Sequence, residues 1–441
     1  MEPKVRFAEA SPKRKLGVFF TLPIVSWALY DFANTIFSSN INTIFFPFYI
    51  QETIGSNAAL DQIASTFISY ANAAASLFLV LFSPLYGVMM DRTGRKKKYV
   101  IPFTLAAVGC TFLMGVLGKW GPGGDWGGLP ASLGLVIVFF VLAKFFYHSS
   151  LVFYDAMIGD LGKKEDIPLI SGFGVAVGYV GTLVGLAVYP FVGKSGNEDA
   201  FIPTAVLFLL FSLPLFFFIR EKKETQSVKH SGFLSGYKEI VFTIREMKKY
   251  RNIFTFMIAY FFLNDALSTT IAMMAVYAGA VVGFSSGAFI LLYLVSTISS
   301  IIGSFIFGYI TKAKGARISI LYVSVLLLAA LAVAVLAQNA FWFWIAGSMF
   351  GVSLGSMWVT SRTYIVQLTP HEKRGQFFGL FAFSGKVSAI IGPFLYGTIT
   401  LIFSNYGTLA SRLALGSMMI LTLIGIMILL RMKDESTEAP L

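Results

Sequence analysis

Gly87-Val-Met-Met-Asp91-Arg92-Thr-Gly94-Arg95-Lys96-Lys97-Lys98 lies between two long apolar runs of a 441-residue chain. Runs of that length and apolarity are long enough to cross a bilayer, so these twelve residues make a tight turn between two membrane spans. Five of the seven residues from Arg92 to Lys98 are cations. Such a turn is hard to translocate, which places it on the cytoplasmic side.

The rest of the chain fits this reading. Its residues are 56% apolar and only 13% charged, against about a quarter charged in a soluble domain. Twelve segments are long enough to span: 20–50, 62–89, 99–118, 130–158, 168–193, 200–219, 253–279, 285–311, 318–337, 341–367, 376–403 and 407–431. The expected fold is an all-α polytopic membrane protein, since a β-barrel would show short alternating segments instead. A net charge of +12 would suit a nucleic-acid binder, but its distribution excludes that reading. With the amino terminus inside, 28 of the 34 Lys and Arg fall on one side, and three (Lys119, Lys194, Arg412) on the other. The remaining three, Lys144, Arg362 and Lys386, lie within spans. This is positive-inside asymmetry, and it puts both termini in the cytoplasm. The first apolar run is too long for a signal peptide's core and holds Asp31, so it reads as a retained helix. The lone Cys110 can make no intrachain disulfide and acts as a small apolar residue.

The long polar stretch 220–252 divides the spans six and six. Within it Tyr237, Ile240, Val241, Ile244 and Met247 recur at helical spacing. They form a short amphipathic helix lying either on the anionic membrane surface or under the bundle. The domain reading is therefore 1–219, a linker 220–252, and 253–441. The halves also repeat. Gly87, Asp91 and Gly94 are echoed by Gly308, Lys312 and Gly315. Gly172, Gly178 and Gly185 match Gly379, Gly385 and Gly392, and Asp155 falls against Arg362. Tyr30 to Asn34 has a counterpart in Asn264-Asp265-Ala-Leu-Ser268.

An ionisable side chain in mid-span costs a few kcal/mol on insertion scales, so it faces an aqueous cavity or a partner. Asp31, Asn34, Ser38 and Asn42 form one stripe on the first helix. Ser65, Ser69, Asn72 and Ser76 do so on the second, and Lys144, His148 and Asp155 share a face of the fourth. Asn264, Asp265 and Ser268 lie in the seventh span, Arg362 in the tenth, Ser384 and Lys386 in the eleventh. The expected solute and ion site is Asp31, Asn34, Lys144, Asp155, Asp265, Arg362 and Lys386. Asp31 and Asp265, then Asp155, are the candidates to carry a proton. Arg362 and Lys386 are those to hold a carboxylate or phosphate, or to neutralise the acids. His148 reads as a satisfied interior histidine. Gly172-Phe-Gly174-Val-Ala-Val-Gly178 follows no strand, so it suits close helix contact and not nucleotide binding. No Cys or His cluster has metal spacing, His371-Glu372 lacks a zincin's second histidine, and no nucleophile–base arrangement is evident. Neither an enzyme nor a cofactor is expected.

The Gly87–Lys98 turn resembles the loop between helices 2 and 3 of the major facilitator superfamily. Ser26-Trp27-Ala-Leu-Tyr30-Asp31-Phe32-Ala33-Asn34-Thr35 resembles the first helix of one branch, the autophagy-related vacuolar effluxers and their bacterial relatives. Ser361-Arg362 through Pro370, Gly375-Gln-Phe377-Phe378-Gly379, Ser384-Gly385-Lys386 and Gly392-Pro393 agree with it. The resemblance implies two pseudo-symmetric six-helix bundles with a cavity lined by helices 1, 4, 7 and 10. It implies alternating access for a small organic solute, with amino acids suggested by the fungal members. A proton is the expected coupling ion, and a monomer in a bacterial inner membrane is expected before a vacuolar location. An uncoupled facilitator, a lipid translocator and a non-transporting receptor are the alternatives. Gly87, Asp91, Arg92, Gly94, Arg95 and Asp160 are the expected gating residues. Asp91 would meet the start of helix 11, and Arg92 or Arg95 would pair with Asp160.

Overall fold

Hydrocarbon offers the backbone no hydrogen-bond partner, so an apolar run must satisfy its N–H and C=O groups internally and becomes helical. The computed structural model describes residues 20–54, 58–121, 123–126, 129–188, 196–221, 250–284 and 286–432. The amphipathic linker segment around Tyr237–Met247 lies outside the described residues, as do the side chains of Ser65, Ser69 and Asn72.

Among the described residues, all twelve expected spans are helical. The first, α1, runs as an α-helix over Leu22–Phe37, a π-helical stretch over Ser38–Phe45, and an α-helix again over Phe46–Ile54. Then come α2 (Ala58–Thr93), α3 (Lys97–Trp120), α4 (Ala131–Met157), α5 (Ile167–Leu186) and α6 (Phe201–Phe218). The second half holds α7 (Arg251–Val282), α8 (Ser286–Lys314), α9 (Ala316–Leu336), α10 (Ala340–Leu368), α11 (Arg374–Ile402) and α12 (Thr408–Leu430). Among the described residues, eleven helices are each long and apolar enough to cross a membrane. The first crossing is continuous only through its π-helical middle. The glycine-rich stretch after α3 carries a two-residue antiparallel pairing of Asp125–Trp126 with Leu129–Pro130.

The repeat seen in the sequence is a repeat of packing. In the first half α1 packs on α5 and α6, α3 on α4 and α6, and α2 on α4. In the second, α7 packs on α11 and α12, α9 on α10 and α12, and α8 on α10. The halves meet mainly through α2 against α11 and α5 against α8, and exchanging the halves turns one contact into the other. Glycine sets the spacing at both. A methyl group at Gly379 would lie 3.2 Å from Gly87 Cα, and one at Gly172 would lie 3.0 Å from Gly308 Cα. Gly174, Gly178, Gly181 and Gly185 instead let α5 lie close along α1, against Trp27, Asp31, Phe32 and Asn40 respectively.

Candidate functional site

The site is built where α1, α4 and α10 converge. Trp27 and Tyr154 clamp α1 to α4: their rings stack at 4.9 Å, Tyr154 Oη donates to the Trp27 carbonyl at 3.0 Å, and Trp27 Nε1 donates to the Tyr154 carbonyl at 3.3 Å. Tyr30 Oη adds hydrogen bonds to Thr104 and Ser150, so α3 joins the frame. Arg362 reaches into this aromatic corner from the opposite half. Its Nη2 lies 2.8 Å from Asp155 Oδ1 and its Nη1 3.8 Å from Asp31 Oδ2. Its guanidinium carbon stands 5.3 Å from the Trp27 ring centroid and 5.8 Å from that of Tyr154. Burying one cation with two carboxylates is tolerable only because the groups compensate one another, and the ring faces add attraction for the cation. The Asp31 carboxyl depends on Gly178, where an added methyl would lie 3.2 Å from its Cγ.

Beside this cluster is a cavity of about 400 Å³. It is lined by Asp31, Asn34, Thr35 and Ser38 of α1, His148 and Asp155 of α4, Tyr179 of α5, Tyr260, Asn264 and Ser268 of α7, Tyr293 of α8, Trp358 and Arg362 of α10, and Lys386 of α11, among others. Lys386 Nζ is 3.1 Å from Nδ1 and 3.4 Å from Nε2 of His148, a second polar contact between the halves. Asn264 Nδ2 donates to Ser388 Oγ at 2.8 Å, and Ser384 Oγ to the Met257 carbonyl at 3.1 Å, tying α7 to α11. Asn34 is 1% exposed, and neither amide atom has a hydrogen-bond partner among the described residues.

Of the seven expected site residues, Asp31, Asn34, Asp155, Arg362 and Lys386 are brought together. Lys144 is not in the cavity lining among the described residues; its Nζ stands 5.9 Å from the Phe140 ring centroid, one turn before His148 in α4. Asp265 is also elsewhere. Its Oδ1 accepts from the Gly392 backbone N–H at 2.8 Å and from Thr269 Oγ1 at 3.4 Å, so it pins α7 to α11. The sequence match of Asp31 with Asp265 is not a match of place, because Asp265 faces Gly392, the counterpart of Gly185. Asp31 faces Gly178, and the counterpart of Gly178, Gly385, faces Tyr260 and Asn264. The α1 stripe also departs from its expected end. The π-helical stretch has more than four residues per turn, so Ser39 and Thr43 line the cavity in place of Asn42. His148, expected to be interior packing, lines the cavity. Its signal in the sequence was its position on the face of Asp155, together with a lysine on the facing helix. Trp27 and Tyr154 were missed because two aromatics far apart in sequence give no sign that they stack.

At the end bearing the basic turns the halves are closed. Asp91 Oδ1 and Oδ2 accept from the Gly375 and Gln376 backbone N–H groups at 2.7 and 2.8 Å, at the start of α11. Asp160 pairs with Lys96 and, at 3.4 Å, with Arg374. Asp160 thus takes Lys96 and Arg374 in place of the expected Arg92 or Arg95, with Lys96 immediately preceding α3 and its side chain reaching the end of α4. The second copy of the turn makes its own contact, Lys312 Nζ to Asp166 Oδ1 at 2.6 Å between α8 and the start of α5. From the level of Asp155 and Arg362 the cavity lining runs away from these contacts, to Thr43, Thr182 and Ile271.

Comparison with known proteins agrees with this architecture. The family model of the Major Facilitator Superfamily matches residues 27–393 and 256–441. The chain is 26% identical over 431 residues to the uncharacterized MFS-type transporter YxiO of Bacillus subtilis, covering 95% of this chain and 96% of that one. It is 25% identical over 281 residues to autophagy-related protein 22 of Kluyveromyces lactis, covering 56% of each. Among solved structures, the human organic anion transporter MFSD10 superposes with a TM-score of 0.70 at 13% identity, covering 95% of this chain and 100% of that one. FucP in its outward conformation gives 0.68 at 11% identity, covering 92% and 99%. The chain is therefore a multi-pass membrane transporter of the Major Facilitator Superfamily, in the branch that holds YxiO and the fungal autophagy-related protein 22.

Proposed function

We propose that this protein carries a small zwitterionic solute, an amino acid, across a bacterial inner membrane by alternating access, driven by protons. The observation that carries the reading is the charge layout of the cavity. With the acids ionised, Asp31, Asp155 and Arg362 sum to one negative charge, and the Lys386 ammonium beside the His148 imidazole supplies one positive. A solute with an ammonium and a carboxylate would neutralise both. Asp31 is the proton carrier in this reading. Its contact with Arg362 is the looser of the two, so protonating it leaves the closer Asp155 pair intact. The closed basic end corresponds to an outward-facing state with that end in the cytoplasm, and opening it would require the Asp91, Asp160 and Asp166 contacts to break.

The test is uptake of labelled amino acids, peptides and organic anions into proteoliposomes with an imposed pH gradient. Accumulation of an amino acid should require the gradient, and Asp31→Asn should leave exchange but abolish gradient-driven accumulation. Accumulation that survives Asp31→Asn unchanged removes the proton assignment, and no dependence on the gradient in the wild type favours an uncoupled facilitator.

A further inference from the structure

Arg362 is the strongest cation in the cavity, yet it is already committed to Asp155 and Asp31. A solute carboxylate binding there would have to displace a counter-ion inside a buried cluster, at the cost of leaving an acid unpaired. Lys386 is placed differently. Among the described residues the partner within hydrogen-bond distance of its Nζ is an imidazole, and with Lys386 as the ammonium the ring nitrogen that accepts must carry a lone pair, which makes His148 the neutral member of the pair. The Lys386 charge is thus oriented but not cancelled by that contact. An ammonium has three donors, and one suffices for His148. Around the pair, α4 also contributes Lys144 and Asp155, α1 Asp31, α7 Tyr260 and α10 Arg362. Of these acids, Asp155 is the one held at 2.8 Å by Arg362.

We propose that Lys386, aimed by neutral His148, is the carboxylate-binding end of the cavity, with Arg362 serving the Asp31 and Asp155 cluster and not the solute. This rests on the carrier reading above and adds the direction in which the solute lies: carboxylate toward α11 and α4, the other end toward Asp31 and the unpartnered amide of Asn34 on α1. Lys386 is the binding residue and His148 a positioning residue. Asparagine can place its side-chain oxygen near the position of Nδ1 and accept the same hydrogen bond, whereas leucine cannot.

The test compares each common amino acid, acetate and lactate with the corresponding amide, which keeps the shape and loses the negative charge. Binding to the full chain in nanodiscs is read by ligand-induced thermal stabilisation. Wild-type protein should prefer at least one free acid over its amide by about tenfold or more, as expected for a charge-assisted contact. Lys386→Gln should bring that ratio near one, and Lys386→Arg should retain most of it. His148→Leu should reduce the ratio and His148→Asn should restore it, which a purely packing role for His148 would not produce. Separating acetate and lactate from the amino acids shows whether the carboxylate alone suffices. A ratio unchanged in Lys386→Gln, no preference for any free acid, or equal behaviour of His148→Leu and His148→Asn would each overturn the assignment. Uptake into proteoliposomes, measured alongside, keeps the two readings apart. Acid preference without uptake retains the binding site and removes the carrier, and uptake without acid preference does the reverse.

Discussion

At the residue scale, the cluster of Arg362, Asp155 and Asp31 shows why buried charge is costly to alter piecemeal. Arg362 and Asp155 side chains are 7% and 21% exposed, so water can replace a removed partner only in small part. Asp155→Asn should therefore destabilise the protein by about 3–5 kcal/mol, the range for breaking a buried pair. Neutralising both partners, Asp155→Asn with Arg362→Gln, should recover a substantial part of that loss. A double-mutant cycle on thermal unfolding in detergent checks this, and additive losses would show that the two groups do not interact. The sequence made these acids and this cation legible because mid-span charges are rare and need a reason. It could not show which acid the arginine would choose. That depends on the Trp27–Tyr154 clamp and on the absence of a side chain at Gly178, contacts between helices distant in the chain.

At the scale of the element, two devices set where side chains point. The π-helical stretch Ser38–Phe45 turns the far end of α1, so a stripe counted at α-helical spacing fails after Ser38. Asn40 anchors the stretch, donating from Nδ2 to the Gly185 carbonyl and to Thr204 Oγ1, both at 3.0 Å. No local propensity announces such a bulge, which explains why the spans were legible in the sequence and this change of face was not. The second device is close approach at glycine. Gly87 faces backbone atoms of Gly375 and Gln376, and a Cβ there would lie 2.7 Å from Gln376 Cα. Backbone cannot swing aside as a long side chain can. Gly87→Val should thus wedge α2 from α11 and expose the interface at the basic end. In a Cys110→Ala background, a cysteine replacing the buried Met90 should react with a water-soluble maleimide several-fold faster when Gly87→Val is added. Equal labelling would mean that the two helices accommodate the side chain without parting.

For the whole molecule, the pseudo-symmetry of packing is matched by a reversal of charge. Where the first half sets Asp91 against the amide end of α11, the second sets Lys312 against Asp166 at the start of α5. The glycine echo made the two interfaces legible, and the lysine in place of an acid meant that the two would not be latched alike, without naming the lysine's partner. The structure supplies the missing partner because Asp166 immediately precedes α5. The two contacts differ in strength. Asp91 accepts two backbone N–H groups at a positive helix end, worth up to about 2 kcal/mol in a partly buried setting. Lys312 and Asp166 are 35% and 25% exposed, and a pair so exposed contributes about 0–1 kcal/mol. If both hold the basic end closed, Asp91→Asn should shift the equilibrium toward the open-inside state by about tenfold, since 1.4 kcal/mol is a factor of ten. Asparagine keeps one acceptor oxygen, so the contact is weakened and not erased. Lys312→Gln should add a smaller shift, and the double variant the sum, because the two contacts lie on separate interfaces. Spin labels placed across the basic end and read by pulsed dipolar spectroscopy in nanodiscs would give the population of long distances in each variant. An Asp91→Asn distribution identical to the wild type would show that this carboxylate serves insertion topology or helix stability alone. A larger effect from Lys312→Gln than from Asp91→Asn would reverse the ranking of the two interfaces and move the principal gate to α5 and α8.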